Sequence, residues 1–268
     1  MDAMMIMHPD DAKAIEVLRS IKGFDKVARA AMDYGFERLY RGENLGEMVQ
    51  VNSENFPQVY YPYLEVVKAV GIDEPEIFIY NDPIMNAFTY GDNNPFIAIS
   101  SSMVEKMSRD ELKCVIAHEC GHILCHHTLY LTMLAILENL GFALQIVSEA
   151  LLLPLLAGLR YWRRCGELSA DRCAAAVVGE KVFQMQMLKL TCGLSEVHGS
   201  PYQLVDQARE YESMQNASWW NRIQQEMRIM FYTHPQMCHR ALEIDRWKKS
   251  WQYRQLRLPN HKGRWPYE

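Results

Sequence analysis

Two histidines and a glutamate have the spacing of a metal site. Residues 118–122 read HECGH, so His118 and His122 are four residues apart with Glu119 beside them. On a helix, such residues lie on one face about one turn apart, and both imidazoles can bind one metal ion. Glu119 can take a proton from a metal-bound water. The motif predicts a zinc site with Glu119 as general base; the alternative is a surface helix that carries two histidines by chance.

A catalytic zinc ion needs a third protein ligand and an open position. An extended pattern with a third histidine fails, because it requires a glycine and a histidine where the chain has Cys125 and Thr128. A carboxylate on a later helix is the other option, and residues 167–171 (ELSAD) supply one. Glu167 can bind the single zinc ion while Asp171 accepts the second N–H of a ligand histidine. Taken alone, such an acidic pair usually lies on a solvated helix face.

Other side chains near the motif have simpler explanations. His126 and His127 follow it directly, and we expect them to end the helix, where a cation suits the helix dipole, rather than to bind metal. Cys125 could be a thiolate ligand, but small apolar packing is the commoner role of a cysteine.

The helix that carries the motif has a clear start. Ser108 is a good N-cap, and Glu111 completes a capping box. From there the apolar spacing predicts a helix to about His127. β-rich stretches at 75–80, 86–90 and 96–100 predict three strands just before it. A further helix is predicted over 167–178, followed by helices at 180–192, 201–230 and 235–256.

With these motifs, the chain resembles the gluzincin peptidases typified by the CAAX prenyl protease and the heat-shock protease HtpX. The run DELKCVIAHECGHI, followed by ELSADRCAA, is similar to the two zinc-binding segments of that family. The segment Asn86-Ala87-Phe88 resembles the family's NAF edge strand, which lines the cleft. His234-Pro235, with Arg240 six residues after the histidine, resembles its C-terminal HP…R element. The resemblance covers about residues 60–245.

The resemblance implies a role for each matching residue. Asn86, Ala87 and Phe88 would hold an extended peptide by added-strand hydrogen bonds. His234 would stabilise the oxyanion, and Arg240 would brace the site by pairing with an acidic residue. Simpler roles stay open: Asn86 could serve a turn, His234 could cap a loop, and Arg240 could form a surface pair.

The expected fold class is α+β and predominantly helical: a zincin-like catalytic domain with a small sheet next to the HExxH helix and a helical hairpin insert. Residues 1–60 form an N-terminal helical segment packed on the catalytic domain, with two helices broken near Gly23 and a connection from about 42 to 57. Residues 61–246 form the metallopeptidase domain. Residues 247–268 form a basic, aromatic tail that is expected to pack on the domain.

The hairpin, at about 128–162, occupies the place where membrane members of the resembled family insert two spanning helices. Glu138, Glu149 and Arg160 divide it into uncharged runs of about ten residues, against the ~20 that a spanning helix needs. We expect a buried or amphipathic hairpin. A membrane-surface hairpin or a dimer interface stays open.

Composition narrows the function further. The net charge of -5 disfavours nucleic acid as a partner. Seven cysteines without a CxxC pair indicate a reducing compartment, and the N-terminus lacks the pattern of a signal peptide. We expect a cytoplasmic zinc metalloendopeptidase (EC 3.4.24 type) acting on peptide or protein substrates, with peripheral membrane contact and oligomeric state left open. The alternatives are a catalytically silent, zinc-stabilised scaffold and a membrane-surface interaction protein.

Overall fold

The computed structural model of the chain describes residues 1–21, 23–32, 37–140, 149–216, 219–220 and 234–257. Three features expected from the sequence lie partly outside these residues: the tip of the hairpin, the end of the helix predicted to reach residue 230, and the last eleven residues of the tail. The fold is α+β and predominantly helical, with one small sheet, as predicted.

The N-terminal region is helical and packs on the rest of the chain. Its helices are α1 (Ala3–Ile6), α2 (Pro9–Ser20), α3 (Phe24–Ala31) and α4 (Glu37–Glu47). Gly23, with a φ of 86°, separates α2 from α3 as expected, because glycine adopts this left-handed conformation without strain. The prediction of a connection from residue 42 was wrong at its start, because α4 continues to Glu47.

The sheet has four strands in the order β1-β2-β4-β3. Its strands are β1 (Val49–Gln50), β2 (Glu76–Tyr80), β3 (Ala87–Tyr90) and β4 (Phe96–Ser100). β2 and β4 are parallel, whereas β1 and β3 are antiparallel to their neighbours. All residues of β4 are buried, which fits a central strand with an almost continuous apolar sequence. β3 is an edge strand of this sheet.

The remaining helices form the body of the domain. They are α5 (Pro57–Val70), α6 (Ser101–Lys106), α7 (Arg109–Leu124), α8 (Thr128–Leu140), α9 (Glu149–Val178), α10 (Glu180–Cys192), α11 (Gln203–Asn216), α12 (Met237–Trp247) and α13 (Trp251–Leu256). α7 begins at the predicted capping box, in which Ser108 and Glu111 bond each other's main-chain N–H groups. It packs against α5 and α9, and also contacts α10 and β3. The helix that carries the HExxH motif is therefore held by several neighbouring elements.

α9 differs from the sequence prediction in its length. The second arm of the hairpin and the helix expected from residue 167 are one continuous helix of 30 residues. Arg160 donates to Glu138 at 2.8 Å, so two of the charges that divide the hairpin neutralise each other. Trp162, at 1% exposure, packs in a cluster that also contains residues of α2, α3 and α8.

Among the described helices, none alone is long and apolar enough to cross a membrane. α7 together with residues Thr128–Glu138 meets that test of length and composition as a pair bent by 95°.

The end of α7 is a Schellman motif. His127 N–H bonds to the carbonyl of His122, and His126 N–H bonds to that of Ile123. His126 occupies the position after the C-cap with a φ of 57°, where glycine is usual. Its place at the helix end agrees with the prediction. The turn brings His127 back under the preceding helical turn.

Gly121 lets α7 and α9 cross closely. A Cβ at this position would lie 2.8 Å from Cys173 Cβ and 2.9 Å from Ala170 Cα. We predict that Gly121→Ala lowers the free energy of unfolding by about 1–3 kcal/mol, because the two backbones must separate. Urea denaturation measures this loss.

Gly158→Ala is the matched control, since Gly158 lies within α9 and a Cβ there meets nothing within 4 Å. It should stabilise the protein by up to about 1 kcal/mol through helix propensity. Equal effects of the two substitutions would contradict the close-crossing explanation.

Candidate metal centre

Three side chains from α7 and α9 converge on one point. His118 Nε2 lies 3.2 Å from His122 Nε2 and 3.4 Å from Glu167 Oε2, and His122 Nε2 lies 3.6 Å from Glu167 Oε1. Two ligands held about 2.0–2.1 Å from a tetrahedral zinc ion are about 3.3–3.4 Å apart. One ligand atom from each of the three residues lies within 4.8 Å of the other two. Among the described residues, no other group of histidine, cysteine and acidic side chains meets this criterion.

Glu167 Oε2 lies at this point without a well-formed hydrogen bond. Glu167 is 3% exposed, and its Oε2 accepts no hydrogen bond of good geometry from the described residues. His118, His234 and Arg240 lie 3.1–3.4 Å from this oxygen and favour its negative charge, but none completes a well-aligned hydrogen bond to it. Two imidazole nitrogens and a carboxylate are a ligand set found in catalytic zinc sites. The residues present therefore fit a zinc ion.

Asp171 and Arg240 lie directly behind the trio. Asp171 Oδ1 is 3.0 Å from His118 Nδ1, which leaves Nε2 of that ring pointing at the site. Arg240 donates to both carboxylate oxygens of Asp171, at 2.8 and 2.6 Å, and its third nitrogen is 3.3 Å from Glu167 Oε2. All three contacts join buried groups, so Arg240 holds two carboxylates in fixed positions. It does not form a surface pair.

Burial and neighbouring charges shift the pKa values of His118 and His122 in opposite directions. Burial alone disfavours the charged form of His118, but its hydrogen bonds with Asp171 and Glu167 outweigh this and raise its pKa to about 10. For His122 burial dominates and lowers the pKa to about 3. At pH 7 the metal-free chain therefore keeps His122 neutral and His118 protonated, so that binding of a metal ion releases a proton from His118.

Glu119 lies beside the trio and faces the cleft. It is 5% exposed, and burial raises its pKa to about 7 against the opposing charge of His118. A carboxylate with this raised proton affinity is well matched to proton transfer near neutral pH.

His234 also reaches the site, together with an arginine that the sequence did not point to. His234 Nδ1 lies 3.1 Å from Glu167 Oε2, and Arg163 donates to its Nε2 at 3.2 Å. This bond assigns the ring proton of neutral His234 to Nδ1. Arg163 lies about one turn before Glu167 on α9, and the sequence prediction missed this relation because it began the helix at residue 167.

A cleft of about 210 Å³ opens in front of these residues and is bordered by β3. Ser100 N–H donates to the carbonyl of Asn86, and Asn86 N–H donates to Ser100 Oγ, so the main chain of Asn86 points towards β4. Bonded and non-bonded pairs alternate along an antiparallel ladder. The main-chain groups of Ala87 and Thr89 consequently face the unpaired edge, while those of Phe88 face β4 like those of Asn86.

Two residues that follow the motif, Cys125 and His127, are buried. His127 follows the end of α7, as expected, and is fully buried. Its Nδ1 lies 3.0 Å from His122 Nδ1, and its Nε2 lies 3.0 Å from Asp11 Oδ2. Asp11 is more than a hundred residues away in sequence, which left no local signal. Cys125 is buried, and burial raises the pKa of its thiol well above the ordinary value, as suits a packing residue.

Fold and site together define a helical metallopeptidase of the HExxH type, and comparison with known sequences agrees. The profile described as "Peptidase family M48" matches residues 53–248. The chain belongs to peptidase family M48 and is a metallopeptidase, which confirms the resemblance found in its sequence. As a peptidase it acts on peptide or protein substrates.

Individual relatives cover different parts of the chain. It is 28% identical to the plastoglobule-localized metallopeptidase 48 of Arabidopsis thaliana over 263 residues, or 96% of this chain and 76% of that protein. It is 42% identical to an HtpX protease homologue of Helicobacter acinonychis over 95 residues, and 50% identical to one of Nitrosomonas eutropha over 58 residues. These two matches span 30% and 20% of the relatives' own lengths. No solved structure matches the chain.

The contacts of Arg240 generate a prediction about stability. Arg240→Lys keeps the charge but loses the two-pronged bond to Asp171 and leaves buried carboxylate oxygens unpaired. We predict a loss of about 2–3 kcal/mol in the free energy of unfolding of the metal-free protein.

Arg246 offers a matched control on the same helix. It pairs with Glu212 through both carboxylate oxygens, but its side chain is 49% exposed. Arg246→Lys should cost less than about 1 kcal/mol. Urea titrations of both variants with chelator present would contradict the prediction if the two losses were the same.

Proposed function

We propose that this metallopeptidase is a zinc-dependent endopeptidase that holds one zinc ion through His118, His122 and Glu167. The observation that carries the proposal is the convergence of the two imidazole Nε2 atoms, 3.2 Å apart, with the carboxylate of Glu167, whose oxygens lie 3.4 and 3.6 Å from them, close to the spacing of tetrahedral zinc ligands. Each of these groups is buried or largely buried at the base of a cleft. Three protein ligands leave one position open for water or substrate.

The bound zinc ion supplies Lewis-acid catalysis, polarising the scissile carbonyl and lowering the pKa of water. Glu119 takes the proton of the attacking water and delivers it to the leaving amine. Its burial supports this role, because a desolvated carboxylate is a stronger base than an exposed one. Asp171 keeps the proton of His118 on Nδ1, so that Nε2 presents its lone pair.

His234 is the proposed donor to the oxyanion. Its Nδ1 carries the proton and lies at the edge of the cleft, beside Glu167. Arg163 fixes this tautomer by donating to Nε2. Arg240 is proposed to act through its neighbours, by keeping Glu167 and Asp171 ionised and in place.

An extended peptide is proposed to lie along β3. The main-chain groups of Ala87 and Thr89 at the open edge are available for added-strand hydrogen bonds. This refines the role given to the segment from Asn86 to Phe88: Asn86 anchors the strand to Ser100, and Ala87 meets the substrate. An internal stretch of polypeptide suits such a strand-like site, which supports endopeptidase activity.

The central prediction concerns Glu119→Gln. The variant should bind one zinc ion per chain, as the wild type does, because the amide replaces no ligand. It should lose at least about 10²–10⁴-fold in kcat, because it cannot take a proton from water. A peptide-mixture cleavage assay, run with and without a chelator, measures the loss, and metal analysis measures the zinc.

Glu111→Gln is the control for this experiment. Glu111 is also a buried acid of α7, but it pairs with Lys189 at 2.7 Å in the first turn of the helix. That variant should keep both zinc and activity. Undiminished cleavage by Glu119→Gln, or cleavage by the wild type that resists chelation, would refute the mechanism.

A further inference from the structure

A chain of buried hydrogen bonds runs away from the site behind His122. His122 Nδ1 is 3.0 Å from His127 Nδ1, and His127 Nε2 is 3.0 Å from Asp11 Oδ2. Ser169 Oγ donates to the same Asp11 oxygen at 2.5 Å and accepts from the main-chain N–H of His8 at 2.8 Å. Asp11, His127 and Ser169 are all 0% exposed. The chain therefore links α2, the turn after α7, and α9.

The proton positions along these hydrogen bonds follow if His122 binds a metal ion through Nε2. If Nε2 of His122 binds a metal ion, its ring proton must lie on Nδ1, which then donates to His127 Nδ1. His127 must in turn carry its proton on Nε2 and donate it to Asp11. A carboxylate can only accept, so the ionised Asp11 excludes the opposite arrangement, in which the metal-facing nitrogen of His122 would be protonated.

We infer that Asp11 and His127 are positioning residues that fix the tautomer and ring orientation of His122 for metal binding. The inference rests on the proposed function, because it takes His122 as a zinc ligand. The two ligand histidines then differ in how they are supported. His118 meets the carboxylate of Asp171 directly, whereas His122 reaches its carboxylate through a second imidazole.

The local structure supports a positioning role. Gly166 of α9 leaves room for the ring of His127, since a Cβ there would lie 3.2 Å from its Nδ1 and Cε1. The Schellman turn holds the backbone of His127 against His122 through a main-chain bond of 2.9 Å. A buried carboxylate such as that of Asp11 is costly unless it is paired. Here His127 Nε2 and Ser169 Oγ both lie within hydrogen-bond distance of Asp11 Oδ2.

Asp11 also lies outside the region that matches the family profile, which begins at residue 53. The inference therefore makes α2 a functional part of the metallopeptidase, because its first turn supplies the acid that ends the chain of bonds from His122.

The test measures zinc affinity directly, by competition with a chromophoric chelator, in three variants. Asp11→Asn keeps the shape of the side chain and removes its charge. His127→Phe removes the acceptor for His122. His127→Asn keeps an acceptor near the position of Nδ1 but cuts the link to Asp11.

We expect His127→Phe to bind zinc about 10–100-fold more weakly than the wild type, in line with losses of such outer partners. His127→Asn should recover part of that loss, and Asp11→Asn should lose about 10-fold.

Glu111→Gln is again the matched control, as it weakens a buried ion pair on the same helix without touching the site. The unfolding free energy of every variant is measured with chelator present. A purely structural role would leave the affinity of each folded variant unchanged, whatever its stability. Affinities of Asp11→Asn and His127→Phe within twofold of the wild type would therefore overturn the inference.

Two reference measurements separate this inference from the proposed function. His122→Ala should abolish zinc binding; retained binding, or a wild type that binds no zinc, would overturn the proposed function and the inference with it. If His127→Phe does not fold, Asp11→Asn decides the question, because it replaces one oxygen by nitrogen and leaves the packing intact.

Discussion

The site depends on the close crossing of α7 and α9 at Gly121. Without a side chain at this position, the backbone of α7 approaches that of α9 near Ala170. Glu167 lies less than one turn before this crossing, and His122 follows Gly121 directly. Helices normally pack 8–10 Å apart, and a carboxylate has a short reach. The contact of the two backbones is what brings a glutamate of one helix between two histidines of the other.

Charge balance follows from the same packing. Three buried carboxylates, those of Glu119, Glu167 and Asp171, surround one buried guanidinium, that of Arg240. When these four groups are ionised and both ligand histidines are neutral, two negative charges remain in a buried region, which is the charge that a divalent cation neutralises. Without such an ion, the raised pKa values of His118 and Glu119 favour their protonated forms and relieve this excess of negative charge.

The sequence could predict those features that depend on residues close together in the sequence. The capping box of α7, the spacing of the HExxH motif, the break at Gly23 and the three main strands depend on residues within one or two turns of each other. The pairing of Glu138 with Arg160, the continuity of α9 and the burial of His127 depend on contacts between distant segments. No local pattern distinguishes Asp11 from its solvated neighbour Asp10, because only the tertiary fold places one of them inside.

The continuity of α9 ties the hairpin to the site mechanically. Its 30 residues form a rod about 45 Å long, with Glu167 on its second half. The same helix therefore carries both the buried Trp162 of the hairpin arm and Glu167. Pro154 lacks the N–H that an interior helix position provides, so it is the weakest point of the rod. α9 therefore joins one arm of the hairpin and Glu167 in a single helix, whose main-chain hydrogen bonding is interrupted at Pro154.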